Sequence, residues 1–271
     1  MLKNRNLTGK LMLNIGTVVI LSFKEGKTAF LLLLILFYPL LPGSAGAEDI
    51  LDIGAFSSFS STQELLEVWE PLTFEKIETH TRYALVEDGG RNVVRAQSNA
   101  SASGLVRKIP VDPAEYPVIE WSWKITGTYE NGNVREKSGD DYPARIYITF
   151  AYDPAKVSFF EKVKFTAIKA VHGEYPPVAA INYIWASSAE KGTIVSNPYT
   201  DRVKMIVVRS GTGMAGRWVK EERNIFEDYK NAFNGQTPPP VAGIAVMTDS
   251  DNTGESAVSF YGDIRLKRIK D

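Results

Sequence analysis

The 271-residue chain contains no cysteine and only two histidines. Without thiols there is no disulfide framework, no thiolate metal site, no cysteine nucleophile and no cysteine-borne lipid anchor. His80 and His172 are far apart in sequence, and no Gly-x-Ser-x-Gly occurs, so neither a His-x-x-x-His zinc site nor a serine–histidine nucleophile is spelled out. Long apolar runs are lacking too: Ala29–Leu41 has 13 residues, short of the roughly 20 a membrane-spanning helix needs. Positive charge is sparse beyond the amino-terminal segment. Residues 1–47 hold five basic residues (Lys3, Arg5, Lys10, Lys24, Lys27) and one acid (Glu25), so of 31 basic and 32 acidic residues, 26 and 31 fall in residues 48–271. The resulting net charge of −5 repels phosphate backbones and argues against nucleic acid as a partner.

The amino-terminal segment reads as an export signal. Lys24 and Lys27 precede the apolar run Ala29–Leu41, and Ala45-Gly46-Ala47 supplies the small residues of a cleavage site. Residues 1–47 are therefore expected to be a signal peptide or leader. Residues 48–271 would then be exported, periplasmic or secreted, with no stable membrane insertion after cleavage. A retained anchor is the alternative. The earlier apolar stretch Leu11–Phe23 implies a long leader or a start downstream of Met1.

What the rest of the chain does have is short alternating apolar runs separated by turn signals. Asp88-Gly89-Gly90 and Asp112-Pro113 are two of these signals. The pattern predicts one all-β domain over residues 48–271, an antiparallel jelly-roll sandwich with one or two short helices. In Pro117–Thr126, Ile119, Trp121, Trp123 and Ile125 share a face, with the tryptophans expected in the core. In Ala144–Tyr152, Ile146, Ile148 and Phe150 do the same. Lys156–Val171 is the best helix candidate, with Phe159, Phe160, Val163, Ala167, Ile168 and Val171 on one side. Phe226–Phe233 is a second.

If those apolar faces form one core, Glu120, Ser122, Lys124, Arg145, Tyr147 and Thr149 share an outward face. Asn182 joins them, and so does Tyr261 if Val258, Phe260 and Ile264 point inward. Charged, amide and phenolic groups on a concave sheet suit sugar hydroxyls, with tyrosine rings for stacking. The leading expectation is thus binding of carbohydrate or another envelope polymer by Glu120, Lys124, Arg145, Tyr147, Asn182 and Tyr261. The plainer alternative is a solvated face with cross-strand ion pairs, such as Glu120 with Arg145 or Lys124. On the binding reading, Arg145→Ala abolishes binding and leaves the melting temperature nearly unchanged.

The loop Asp249-Ser-Asp251-Asn252-Thr253-Gly254 clusters oxygen ligands around a glycine, as calcium requires. The EF-hand pattern fails, since Phe260 stands where a bidentate glutamate belongs. A structural calcium held by Asp249, Asp251 or Asp263 is one reading; an Asx-stabilised hairpin turn is the other. A hydrolase or lyase would need two carboxylates about 5–10 Å apart, and Glu120 with Asp141 or Asp263 are the candidates. A structural or protein-interaction module of the cell envelope is the remaining alternative.

Glu120-Trp-Ser-Trp123, Gly139-Asp-Asp-Tyr-Pro-Ala-Arg-Ile-Tyr147, Asn182-Tyr-Ile-Trp185, Met247-Thr-Asp-Ser-Asp-Asn-Thr-Gly254 and Tyr261-Gly-Asp-Ile264 form a recognisable set. Together they resemble the bacterial family catalogued as domain of unknown function 3047, over nearly all of the exported part. That resemblance implies no activity. Tyr261-Gly-Asp263-Ile264 is also similar to a last-strand pattern of galactose-binding-type jelly-roll carbohydrate-binding modules, which implies that fold and a carbohydrate ligand by analogy.

Overall fold

The computed structural model describes residues 49–154, 157–172 and 175–269. The expected leader, and both Lys156 and Gly173 at the expected helix boundaries, lie outside them. Along the chain run β1 (Ile50–Gly54), α1 (Thr62–Val68), β2 (Glu70–Leu72), β3 (Arg82–Asp88), β4 (Arg91–Asn99) and β5 (Ala102–Val111). Next come β6 (Val118–Ile125), β7 (Arg145–Phe150), α2 (Phe159–His172), β8 (Ala179–Ala186), β9 (Ile194–Asn197) and β10 (Thr200–Ser210). The chain closes with β11 (Val219–Asn224), α3 (Ile225–Ala232), β12 (Val241–Asp249) and β13 (Ser256–Lys267). None of these helices is long and apolar enough to cross a membrane.

The fold is an all-β jelly-roll sandwich. The first sheet has the order β11-β6-β13-β4-β3, with β1 also on β13; the second has the order β2-β5-β12-β7-β8-β10-β9. The pairings are antiparallel apart from β8 with β10, which run parallel. Alternation in β6 turns Ile119, Trp121, Trp123 and Ile125 inward, where they meet Ile146, Ile148 and Phe150 of β7 and Tyr183 and Trp185 of β8. Trp121 stacks on Tyr183 at 5.3 Å between ring centres, and Trp123 packs against Trp185 at 5.8 Å. The tryptophans belong to the core, as expected. Each such fully buried apolar side chain contributes about 1.5–3 kcal/mol.

Two expectations about facing are corrected. β6 and β7 follow one another in sequence but join different sheets, so Glu120 and Lys124 lie on the opposite outside of the sandwich from Arg145, Tyr147 and Asn182. The proposed six-residue face does not form. Tyr261 points inward and is fully buried. Val258 and Phe260 face outward, and a bulge between Tyr261 and Ile264 then resets the alternation so that Ile264 is also in the core. Gly262 sits in that bulge, where a Cβ would meet the Ser122 hydroxyl.

The helices also depart from expectation. α1 is an addition to the two expected; Ser61 caps it by accepting from the Glu64 amide at 3.1 Å, and Glu64 bonds back to the Ser60 amide at 2.8 Å. Among the described side chains of α2, Phe165 is buried, edge-on to Tyr152 at 4.8 Å; Ala167, Ile168 and Val171, also expected on the packed side, are not among them. Phe159, Phe160 and Val163, expected on the packed side, are exposed.

Candidate functional site

Strand register builds the outer face of the second sheet as three rows crossing β5, β12, β7, β8 and β10. The first is Lys108, Gly243, Thr149, Ala180, Val203; the second Val106, Ala245, Tyr147, Asn182, Met205; the third Gly104, Met247, Arg145, Ile184, Val207. The rows differ in what covers them.

The connection between β6 and β7, residues 126–144, lies over the third row. Val134 and Tyr142 pack with Ile184, Ala186, Met205 and Val207. Tyr129 donates to the Asp249 carbonyl at 2.5 Å, and the Glu130 and Asn131 amides both donate to Glu255 at 3.0 Å. Arg145 is thereby 3% exposed and ion-paired with Asp249, its guanidinium 4.9 Å from the Tyr142 ring and 5.5 Å from that of Tyr147. Burial opposes its charge, and Tyr147, Asp140 and Tyr142 around it more than restore it. Burial raises the Asp140 carboxyl above the usual carboxylate range, against the pull of Arg145 and a bond from Asn197. Arg145 is a structural ion-pair member here and is closed to a ligand.

Asn182, in the second row, is fully buried, and neither its amide nitrogen nor its oxygen has a partner among the described residues. Buried amide groups without partners cost about 1–3 kcal/mol. Asn182→Leu is therefore expected to raise stability by about 1 kcal/mol, a melting shift of roughly 2–4 °C for a domain of this size. A fall in melting temperature would show that the amide is bonded.

The first row is open. Small side chains at Gly243, Ala180 and Ala245 floor a groove of about 890 Å³, walled by Phe74, Tyr147, Tyr152 and Tyr175. Tyr152 and Tyr175 stack at 4.5 Å, with Phe165 of α2 against the former, so the helix braces this wall. The Gly243 backbone runs so close to β5 that a Cβ would sit 3.0 Å from the Arg107 carbonyl oxygen. Thr149 donates its hydroxyl to the Gly243 carbonyl at 2.9 Å. Of the six expected ligand-binding residues, Tyr147 alone lines this groove. Nothing in the sequence announced it, since alanine, glycine and valine carry no motif. Only the register aligns them.

On the other outside of the sandwich, Glu120, Ser122, Trp218 and Asp263 line a smaller recess of about 290 Å³. Burial alone would raise the Glu120 carboxyl, but bonds from Lys220 and Lys267 outweigh it and hold the group below its ordinary range. Asp263 accepts from the Ser57 amide at 2.9 Å and hydroxyl at 2.7 Å. A general acid for glycoside hydrolysis needs a carboxyl raised toward neutrality, and Glu120 is shifted the other way. Asp141 belongs to the opposite side and does not pair with it. Lys124 is spent on Asp88 at 2.7 Å, near Trp218 and Phe260.

Asp141, Asp249 and Asp251 do converge, each offering an oxygen within 4.8 Å of the others; Asp263 is not among them. The oxygens of Asp141 and Asp249 are already engaged. Asp141 accepts from Asn252 (amide at 3.3 Å, side chain at 3.1 Å) and from the Thr253 amide at 2.6 Å, and Asp249 accepts from the Tyr142 amide at 3.2 Å and Arg145. A guanidinium paired with Asp249 and a turn held by Asp141 do not fit calcium, which needs free oxygens converging on it. The hairpin-turn reading fits better.

Residues 67–265 match the family described as Protein of unknown function (DUF3047). The chain belongs to that family. No curated protein matches significantly. Among solved structures, this family member is similar to the glycoside hydrolase domain of Endo-D from Streptococcus pneumoniae R6, at 10% identity and a TM-score of 0.31, covering 75% of this chain and 22% of that one. It is also similar to Endoglucanase 3 of family GH12 from Trichoderma harzianum, at 8% identity and a TM-score of 0.34, covering 74% and 98%. A third is the cellulose induced protein Cip1, at 10% identity and a TM-score of 0.31, covering 73% and 90%.

Proposed function

We propose that this is a ligand-binding protein whose site is the groove on the outer face of the second sheet. The observation that carries the reading is the open row of small residues around Gly243 and Ala180, on a sheet whose third row is sealed. Small-molecule sites are typically apolar clefts of about 300–1,000 Å³ with few polar groups. A groove of about 890 Å³ floored by glycine, alanine and valine is of that kind. Its ligand presents mainly C–H surface. Export of the domain, expected from residues 1–47, is part of the same proposal.

Carbohydrate or another envelope polymer is the second reading, now confined to the second sheet, where Tyr147 remains of the six expected residues. It is favoured by the rings of Tyr147, Tyr152 and Tyr175, since a sugar stacks its C–H face on an aromatic ring.

The test fills the groove. Ala180→Trp places an indole over the floor, where the groove has room for it, and folding should be kept as judged by near-ultraviolet circular dichroism. The full chain is titrated with the apolar dye anilinonaphthalene sulfonate and, separately, with cellohexaose. Binding of either by the wild type, weakened at least tenfold by Ala180→Trp, supports the groove. Binding that the substitution leaves unchanged places the site elsewhere.

A further inference from the structure

We infer that the polar recess on the outer face of the first sheet is a second binding site, for a single sugar-acid unit whose carboxylate meets Arg91. The site lies on the other outside of the sandwich from the groove and does not depend on it. Its shape comes from a break in strand pairing. β13 pairs with β4 as far as Tyr261, opposite Val94, and with β1 from Ile264, opposite Gly54; its register on β6 jumps between the same two residues. Gly262 and Asp263 therefore sit in a bulge outside these pairings, and such bulges re-aim the side chains around them. A notch opens there, bordered by Arg91, Glu120, Ser122, Trp218, Lys220 and Asp263. Glycine suits position 262, because a Cβ would meet the Ser122 hydroxyl and come within 3.4 Å of the Arg91 guanidinium. A volume of about 290 Å³, at the small end of ligand clefts, holds one ring rather than a chain.

The charges around the recess differ in what they already hold. Lys220 and Lys267 both bond one oxygen of Glu120, Oε2, at 2.7 and 3.0 Å. Arg265 bonds Asp52 at 2.7 Å, and Asp263 accepts from Ser57. Arg91 forms no ion pair among the described residues; its guanidinium lies 4.4 Å from the centre of the Trp218 ring, with one nitrogen 3.4 Å from the Ser122 hydroxyl. Asp88, opposite Arg91 in the β3–β4 hairpin, is taken by Lys124 at 2.7 Å and by the Trp218 indole N–H at 2.6 Å. That bond holds the indole, and the indole holds the guanidinium, a planar fork suited to a carboxylate. Ser122 and Glu120 share the outward face of β6 two residues apart, about 7 Å along the strand. A pyranose bearing a carboxylate spans that interval. Its carboxylate meets Arg91, and a ring hydroxyl donates to Glu120 Oε1, which accepts from none of the described residues. A neutral sugar leaves Arg91 unmatched, and phosphate sets a second anion beside Glu120 with no hydroxyl between them.

The experiment is calorimetric titration of the full chain with galacturonate and glucuronate, with their neutral parents galactose and glucose, and with inorganic phosphate. At least one uronate is expected to bind, about tenfold or more tighter than its neutral parent, as a charge-assisted pair of hydrogen bonds requires. Arg91→Gln should bring the uronate down to the affinity of the neutral sugar. Arg91→Lys should recover part of the difference, because a point charge lacks the fork. Arg91 is exposed, so both variants should melt within about 2 °C of the wild type. Ala180→Trp, on the other sheet, should leave uronate binding unchanged, which keeps this site separable from the groove. Equal binding of uronate and neutral sugar, or a preference that survives Arg91→Gln, overturns the carboxylate at Arg91. Full recovery by Arg91→Lys overturns the fork. Phosphate binding as tight as that of the uronate makes the recess a general anion site and overturns the sugar acid. Uronate binding lost in Ala180→Trp moves the ligand to the groove and overturns the recess. No binding of either uronate overturns the inference and leaves the groove untouched.

Discussion

Arg145→Ala is expected to destabilise the domain by about 3–5 kcal/mol, because it strands a buried carboxylate. At roughly 2–4 °C per kcal/mol for a domain of this size, the melting temperature should fall by roughly 6–20 °C. The reasons are specific to the surroundings. Asp249 is 1% exposed and its charge is answered by the guanidinium; Asp140 and Asp141, 4% and 0% exposed, lie beside the same group. Take away the cation and three carboxyls share a dry site with no counter-charge. The loss also reaches the third row, since the Tyr142 amide docks on Asp249 and the Arg145 amide on the Tyr261 hydroxyl at 3.4 Å. Adding Asp249→Asn to Arg145→Met should recover most of the loss, because it removes the orphaned charge yet keeps an acceptor for the Tyr142 amide. A melting shift under about 2 °C for Arg145→Ala would mean that the pair contributes nothing.

This outcome is the reverse of what the strand alone suggests, and the difference shows where local pattern stops. Alternation in residues 117–126 and 144–152 is a property of neighbouring residues. It was legible because Trp121, Trp123, Ile146 and Ile148 must all leave water. Which outside of the sandwich the remaining side chains reach is not local. It depends on β6 pairing with β13 and β11 while β7 pairs with β12 and β8, and those partners are tens to more than a hundred residues away. One arginine among β-formers was a fair sign of something unusual. Whether it faces a ligand or a buried aspartate was decided by Tyr129, Val134 and Tyr142, the large side chains of a connection that is otherwise polar. Those three were the available signal that the connection packs down.

Tyr261 shows the same limit at one residue. Counting by twos from Phe260 fails because a bulge at Gly262 inserts one residue, and glycine in a strand is the one hint of it. The groove is harder still. Lys108, Gly243, Thr149, Ala180 and Val203 span 135 positions of sequence (243 − 108) and become neighbours solely through register. A site whose distinguishing chemistry is the smallness of its floor leaves no residue type to search for. The paired aspartates around Asp249 had the opposite history: a conspicuous composition whose oxygens turned out to hold a turn and an arginine.

Trp123 gives the second large effect. Trp123→Ala is expected to cost about 3–5 kcal/mol, since an indole lying between the sheets against Trp121 at 5.3 Å and Trp185 at 5.8 Å leaves a cavity that rigid strands cannot close. Phenylalanine separates volume from hydrogen bonding. Trp185 donates its indole N–H to the Gly211 carbonyl at 3.0 Å, whereas the Trp123 N–H is buried without an acceptor among the described residues. Both rings are fully buried in the same cluster, so Trp123→Phe and Trp185→Phe remove the same atoms. Trp185→Phe also orphans a carbonyl, while Trp123→Phe relieves an orphaned donor. The former should therefore be the costlier by at least about 1 kcal/mol, or roughly 2–4 °C. Because the two rings touch, the double variant should cost less than the sum by about 0.5–1.5 kcal/mol. Equal losses for the two phenylalanine variants in thermal melts would show that the bond to Gly211 adds nothing and that packing alone sets the energy of this core.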